Sequence, residues 1–226
     1  IPCLLRRAEM HIHLRQYPEA FERLNDVLKK DDFNHEAYWM KGKIYSELGN
    51  LKNAKSSFQT AVEVEPDFFD GYIKLGLMYA QEADTMAIGY FQTAIELKPR
   101  SIEAKYNLAY FLQEFRPMNP RYLDQAMDLY DDISSIDPNN ATAAFNRGYI
   151  NLEFWQDYDS AIAHFSRAIE VLPRYHQAYF NRGLCFESLD DLESAESDYR
   201  KSLEIKPDYT EAARALESIL DQMNKQ

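Results

Sequence analysis

Residues 35–66 predict two short amphipathic helices joined by a turn. Small and apolar residues recur in this stretch at spacings of three and four, which places them on one face of a helix. On the first helix they are Tyr38, Gly42 and Tyr45, and on the second Ala54, Phe58 and Ala61. Residues 48–50 (Leu-Gly-Asn) read as the turn, and Pro66 ends the unit because proline cannot continue a helix. We expect Gly42 and Ala54 to let the two helices approach closely.

The same pattern recurs along the chain in six copies. The small residue of the first helix is Ala8, Gly42, Gly76, Ala109, Gly148 and Gly183. The alanine of the second helix is Ala20, Ala54, Ala87, Ala126, Ala161 and Ala195. Four residues later comes an aromatic residue or leucine, namely Leu24, Phe58, Phe91, Tyr130, Phe165 and Tyr199. Five copies end in a proline, namely Pro66, Pro99, Pro138, Pro173 and Pro207, and Asp32 stands in its place in the first copy.

These residues and their spacing, mostly 33 to 35 residues, resemble the tetratricopeptide repeat (TPR) family. The resemblance implies an all-α fold, a right-handed solenoid in which helix–turn–helix repeats stack on one another. We therefore expect a single domain over residues 1–226. Its repeats are predicted at about 1–34, 35–68, 69–101, 102–140, 141–174 and 175–208, with a capping helix at 209–224. Asparagine-arginine-glycine strings such as residues 181–183 are similar to bacterial members of the family.

Three further repeats depart from the pattern. The third is one residue short in its turn, at residues 82–85, and the fourth has about five extra residues around 116–120. We interpret the extra residues as a tolerated surface insertion, with a partner contact as the alternative. In the fifth repeat Asn151 stands where a tyrosine is usual, so we expect altered packing there.

Composition restricts the class of partner. The formal net charge is −12 and no run of Lys and Arg is present, which argues against nucleic-acid binding and favours a neutral or basic protein partner. No apolar run of 18 residues exists, so no membrane-spanning segment is predicted. Cys3 and Cys185 lie in the first and sixth repeats, too far apart for a disulfide, and both are expected to be buried small hydrophobes.

Residue patterns for catalysis or metal binding are absent. His11 and His13 are two residues apart on a predicted helix and point to different sides. The sequence contains no nucleophile elbow, zinc-protease motif or phosphate-binding glycine loop. We expect no enzyme activity in this chain and no cofactor or metal.

The resemblance implies that the first helices of the repeats line a concave groove. Asparagines occupy one groove position in three successive repeats, Asn107, Asn146 and Asn181, similar to the asparagine ladder of the O-linked N-acetylglucosamine transferase repeats. An asparagine amide offers both a donor and an acceptor, so it can bind the backbone of an extended peptide. The alternative is that asparagine is simply common at this position.

Aromatic residues at two other groove positions are candidate affinity hot spots. They are Trp39, Tyr106, Phe145 and Phe180 at one position and Tyr110 and Tyr149 at the other. The alternative is that the first set is partly buried between neighbouring repeats. Acidic residues outnumber basic ones at the groove positions, which favours a basic or neutral ligand. They are Glu9, Glu36, Glu47, Asp70, Glu103, Glu114, Glu153 and Glu187, against Lys43 and Lys74.

One subtype of the family can be excluded. Chaperone-tail binders hold a C-terminal carboxylate with lysine, asparagine and arginine side chains at defined positions. In the last three repeats those positions hold Tyr106, Tyr110, Asn146, Gln177 and Asn181. Only Asn146 fits, so no cation is available there for a carboxylate.

The sequence thus predicts a scaffold that binds an extended partner segment in its groove. Two alternatives remain: a structural module that self-associates through its ends or convex face, and the substrate-recruiting domain of a larger enzyme. The chain begins at Ile1 in phase with a repeat, which we interpret as a segment of a longer or processed protein. The repeat style favours the bacterial cell envelope, on its periplasmic side, with the cytoplasm as the alternative compartment.

Overall fold

The computed structural model describes residues 1–115, 117 and 119–224. Throughout this part of the chain the regular structure is helical, which confirms the predicted all-α fold of helix–turn–helix repeats. The helices are α1 (Pro2–His13), α2 (Tyr17–Leu28), α3 (His35–Glu47), α4 (Leu51–Val64), α5 (Phe69–Gln81), α6 (Met86–Leu97), α7 (Ile102–Glu114), α8 (Arg121–Ile136), α9 (Ala141–Ile150), α10 (Tyr158–Val171), α11 (His176–Ser188), α12 (Leu192–Ile205) and α13 (Thr210–Met223).

We call the first helix of each repeat its A helix and the second its B helix. Helices pack pairwise within repeats, as α3 packs on α4 and α11 on α12. B helices also contact the A helix that follows them, as α2 contacts α3 and α10 contacts α11. The chain forms two compact units, Ile1–Phe111 and Leu112–Gln226, which we call the first and second unit.

The contact between the two helices of a repeat depends on the small residue of the A helix. A Cβ atom placed on Gly42 would lie 2.5 Å from Cε1 of Phe58, a distance that no packed pair of carbon atoms tolerates. Gly148 meets the ring of Phe165 in the same way, at 2.8 Å. Because these phenylalanine rings are fully buried, they have no free space to move into.

The turn between A and B helices uses one residue in the left-handed backbone region. Gly49 has φ of +72° at this place, and equivalent turns use Arg15, Gln156 and Asp190 at 54° to 62°. In the third repeat the shortened turn uses Ala83 at 60°. A left-handed residue lets the chain reverse within three residues after the helix ends.

The fifth repeat contains a π-helical turn, Asn151–Trp155, directly after α9. Ala161 follows Gly148 by 13 positions, whereas Ala54 follows Gly42 by 12. A π turn accommodates one extra residue within a helix. It buries Asn151 and Leu152, and the Asn151 amide nitrogen donates to the Arg147 carbonyl at 2.9 Å. The altered packing expected at Asn151 therefore takes the form of a local change of helix type.

Parts of the predicted insertion in the fourth repeat lie outside the described residues, namely Arg116 and Met118. At the carboxyl end, α13 buries Ala212 and Ile219. Ile219 packs in one cluster with Leu192, Ala195 and Tyr199 of α12.

The two cysteines are unpaired, and they differ in exposure. Cys185 is buried, and burial raises the pKa of its thiol to about 12. Cys3 is exposed, so the expectation that both are buried is wrong for Cys3. The buried side of α1 is formed by Leu5, Ala8 and Ile12, and Cys3 lies on the opposite side of that helix.

Candidate functional site

Two of the three predicted asparagines lie in successive hairpins of the second unit, at equivalent positions of α9 and α11. Asn146 is 7% exposed and Asn181 9% exposed, so little more than the edge of either amide reaches solvent. The Nδ2 atom of Asn146 donates to the Thr142 carbonyl one helical turn earlier, at 2.9 Å. This bond orients the amide and leaves its Oδ1 and one N–H available.

Asn181 makes no side-chain hydrogen bond to any residue that the structure describes. Its own backbone carbonyl lies 3.2 Å from Sγ of Cys185. A largely buried amide without a protein partner must bond to water or to a ligand, because an unmade bond costs about 1–3 kcal/mol. The third asparagine, Asn107, is half-buried on α7 in the first unit.

Three of the predicted groove aromatics are half-buried and pack between repeats. Trp39, Phe145 and Phe180 each contact the B-helix aromatic of their own repeat, with ring centroids 4.9 to 5.7 Å apart. Each also contacts an aromatic residue that precedes the next A helix, at 4.8 to 5.2 Å. Those partners are Phe68, Tyr175 and Tyr209. Much of each ring is therefore used to join one repeat to the next.

From α3 onwards, the residue before the A helix of a repeat, or before α13, has one of two roles. Asn34, Ser101 and Asn140 accept a hydrogen bond from a backbone N–H of the first helical turn, at 2.9 to 3.2 Å. Phe68, Tyr175 and Tyr209 make no such side-chain bond and pack against an aromatic ring of the preceding repeat instead. An N-cap bond contributes about 1 kcal/mol, comparable to an aromatic pair. The sequence contained a signal for these ring contacts. Each aromatic N-cap follows a repeat that has an aromatic residue at the position of Trp39, namely Trp39, Phe145 or Phe180.

Of the remaining predicted aromatics, Tyr106 and Tyr149 are half-buried and Tyr110 is exposed. Tyr106 and Tyr110 lie one turn apart on α7 with nearly parallel rings, 6.2 Å between centroids, and Tyr110 is 49% exposed. Tyr149 is half-buried and meets Phe154 of the π turn edge-on at 5.9 Å. Tyr110 and Tyr149 thus present ring surface to solvent on the A helices of their respective units.

Sequence reasoning missed a set of ionic contacts that join three helices of the second unit. Arg182 on α11 donates to both carboxylate oxygens of Asp198 on α12, at 2.7 and 2.8 Å, and to Oγ of Ser166 on α10 at 2.9 Å. The hydrogen bond to Asp198 raises the pKa of Arg182. This is a bidentate pair, the strongest geometry for an ion pair.

The preceding repeat has a related contact. Arg147 Nε lies 2.7 Å from Oδ1 of Asp131, which belongs to α8. His164 stands where Asp198 stands in the sixth repeat, and burial together with Arg147 lowers its pKa. The signal in the sequence was a basic residue directly before the small A-helix residue, as at Arg147 and Arg182.

Two of the predicted groove carboxylates are already bonded to tyrosines. Tyr17 donates to Glu47 at 2.5 Å and Tyr199 donates to Glu187 at 2.6 Å. Burial, and secondarily Glu187, raises the pKa of Tyr199. Others, including Glu9, Glu36 and Asp70, are exposed in the first unit.

Within residues 1–115, 117 and 119–224, no group of three or more His, Cys, Asp or Glu side chains is placed to hold a metal ion. None of the helices in that part of the chain combines the length and apolar character that crossing a membrane requires.

Comparisons with known proteins place these repeats in a family. Models of the tetratricopeptide repeat match residues 35–68 and 176–209. The mitochondrial import receptor subunit TOM70 of Rattus norvegicus is 22% identical over 232 residues, covering 99% of this chain and 37% of its own length. The chain spans about a third of the length of TOM70 and of several other curated relatives that it matches.

Solved structures agree on the fold. The C-terminal part of a TPR repeat-containing protein from Cytophaga hutchinsonii superposes with a TM-score of 0.79 at 19% identity, covering 94% of this chain and 86% of that one. YrrB, described as a TPR protein with an unusual peptide-binding site, gives 0.68 at 20% identity, covering 85% and 96%. Two repeats match the family directly and the other four repeat the same residues in phase, so the chain belongs to the tetratricopeptide repeat family.

Proposed function

We propose that this chain is a protein-interaction module that binds an extended segment of a partner protein along its A helices. In the second unit, Asn146 and Asn181 bond the backbone of that segment, and the half-buried ring of Tyr149 contacts its side chains. No chemical step is assigned to the chain.

The observation that supports the proposal best is the state of the Asn181 amide. It is nine-tenths buried and bonds to no described residue, although a buried amide normally has a protein partner. The amide atoms of Asn181 are not sealed from solvent, so water or a ligand can bond to them. The backbone of a bound peptide supplies both a donor and an acceptor, so it can form hydrogen bonds with both ends of the Asn181 amide.

Known relatives are consistent with this function. TOM70 is an import receptor subunit, and YrrB has a peptide-binding site. The net charge of −12 favours a partner segment that is neutral or basic, because like charges repel during encounter.

The test uses a peptide selected from a displayed random library with the full chain as bait. Calorimetry with the Asn146→Ala, Asn181→Ala double variant should show affinity weakened about tenfold, the effect of losing roughly two hydrogen bonds. The control is Asn53→Ala with Asn224→Ala, because both residues are exposed and lie away from the proposed contacts. The unfolding temperature of the Asn146→Ala, Asn181→Ala variant, measured by circular dichroism, should remain close to that of the unmodified chain. Unchanged affinity in the first double variant would refute the proposal.

A further inference from the structure

A cavity of about 520 Å³ lies on the A helices of the first unit. Side chains of three successive A helices, α1, α3 and α5, line it together with the loop residue Phe68. Its apolar lining includes Trp39, Met40 and Phe68, and its carboxylates are Glu9, Glu36 and Asp70. The cavity therefore combines an aromatic wall with negative charge from three different helices.

The three carboxylates are not used elsewhere in the first unit. None of them forms an ion pair with a described residue, and all three are exposed. Glu36 and Asp70 lie in the first turns of α3 and α5, where an acidic residue also stabilises the helix. Glu9 lies in the middle of α1, where that explanation fails. Its presence in the same cavity indicates a charge pattern that belongs to the cavity itself.

The cations around the cavity offset only part of this charge. Arg6 lines it, and His35 lies 3.8 Å from Glu65. Against three carboxylates, one permanent cation leaves a local excess of negative charge.

Trp39 provides the second recognition element. It contacts Phe58 and Phe68 with ring centroids 4.9 and 5.1 Å apart, and these contacts hold the indole in place. The side chain is half-buried, and its remaining surface lines the cavity. Indole is the aromatic ring that attracts cations most strongly.

Building on the proposed function, we propose that this cavity receives an arginine or lysine side chain from an extended partner segment. The aliphatic stem packs on Trp39 and Met40 while the charged group pairs with Glu36, Asp70 and Glu9. Neighbouring helices pack about 8–10 Å apart, so three of them span roughly 20 Å. An extended chain of about six residues covers that length. Charge complementarity thus selects a basic segment as the occupant.

The experiment uses the full chain with Trp155→Phe. The sequence has two tryptophans, so Trp39 is the only one left in this variant. Fluorescence of Trp39 is titrated with an acetylated and amidated Gly-Arg-Gly-Arg-Gly peptide and with its glutamine counterpart. We expect a saturable change with the arginine peptide and binding at least about tenfold weaker with the glutamine peptide.

Three variants distinguish a specific site from general attraction. Glu36→Gln with Asp70→Asn should weaken binding of the arginine peptide about tenfold. Glu63→Gln with Glu96→Gln removes the same charge from the exposed surfaces of α4 and α6 and should leave binding within about twofold. Arg6→Gln should tighten binding because it removes the competing cation. Circular dichroism checks that each variant remains folded.

The proposal is overturned if the arginine peptide does not bind, if the glutamine peptide binds equally well, or if both acidic double variants weaken binding equally. The proposed function is tested separately, because it depends on Asn146 and Asn181 in the second unit. If the arginine peptide does not bind but the asparagine variants lose affinity for the partner, this inference alone is rejected and the proposed function stands.

Discussion

At the scale of single residues, Gly76 shows how a missing side chain sets the distance between two helices. A Cβ atom on Gly76 would overlap the ring of Phe91, which is fully buried on α6. Gly89 lies on α6 in the same repeat, and a Cβ atom there would meet nothing within 4 Å. A side chain added at Gly76 is therefore expected to destabilise the chain, whereas one added at Gly89 is not.

We predict that Gly76→Ala destabilises the chain by about 1–3 kcal/mol, because the buried ring must shift or the helices must separate. Gly89→Ala, the matched control, should stabilise it by up to about 1 kcal/mol, since alanine favours the helix interior. Urea unfolding measures both free energies. Equal effects of the two substitutions would show that close packing against Phe91 is not what requires Gly76.

At the scale of helices, Arg182 connects α10, α11 and α12 through Ser166 and Asp198. The Asp198 side chain is only 6% exposed and that of Arg182 21% exposed. Removing one partner of such a pair leaves a charge with poor access to water. A pair on the surface of α12, Lys201 and Glu204, offers a comparison because both side chains are well exposed.

We predict that Asp198→Ala lowers the free energy of unfolding by about 3 kcal/mol, because Arg182 is left largely buried and unpaired. Glu204→Ala on the same helix should cost less than about 1 kcal/mol. Denaturant titration of the two variants side by side measures the difference. Similar small losses would mean that water reaches Arg182 and that the pair does not hold these helices together.

The helices themselves could be predicted from the sequence because each hairpin repeats the same local signals. Gly42, Ala54, Phe58 and Pro66 specify close approach, core filling and termination without reference to distant residues. The π turn was accessible in principle, since the extra residue between Gly148 and Ala161 is visible in the spacing. Its position at Asn151–Trp155 was not, because several turns of the helix could have accepted the extra residue.

The candidate site was harder to predict than the fold. The groove positions identified Asn146 and Asn181 but not their burial, which depends on the neighbouring hairpins. The sequence left open whether Trp39 is an affinity hot spot or partly buried between repeats, because its contacts with Phe58 and Phe68 involve residues 19 and 29 positions later in the chain. The pairing of Arg182 with Asp198 likewise needs the packing of α11 on α12.

At the scale of the whole molecule, charge is distributed unevenly along the chain. Residues 112–226 contain 21 acidic and 11 basic residues, a net charge of −10, whereas residues 1–111 contain 16 and 14, a net charge of −2. The second unit, with the two buried asparagines, therefore dominates long-range attraction of a basic segment. In the first unit the local group of Glu9, Glu36 and Asp70 acts at short range.

The most direct measurement is the NMR spectrum of side-chain amide groups in the isotope-labelled full chain during titration with the selected partner peptide. The NH₂ signals of Asn146 and Asn181 should shift together and saturate at the affinity that calorimetry gives, while that of Asn53 on α4 stays unchanged. If the signals of Asn146 and Asn181 do not move while residues of the B helices respond, the partner binds another surface and the proposed role of the A helices is wrong.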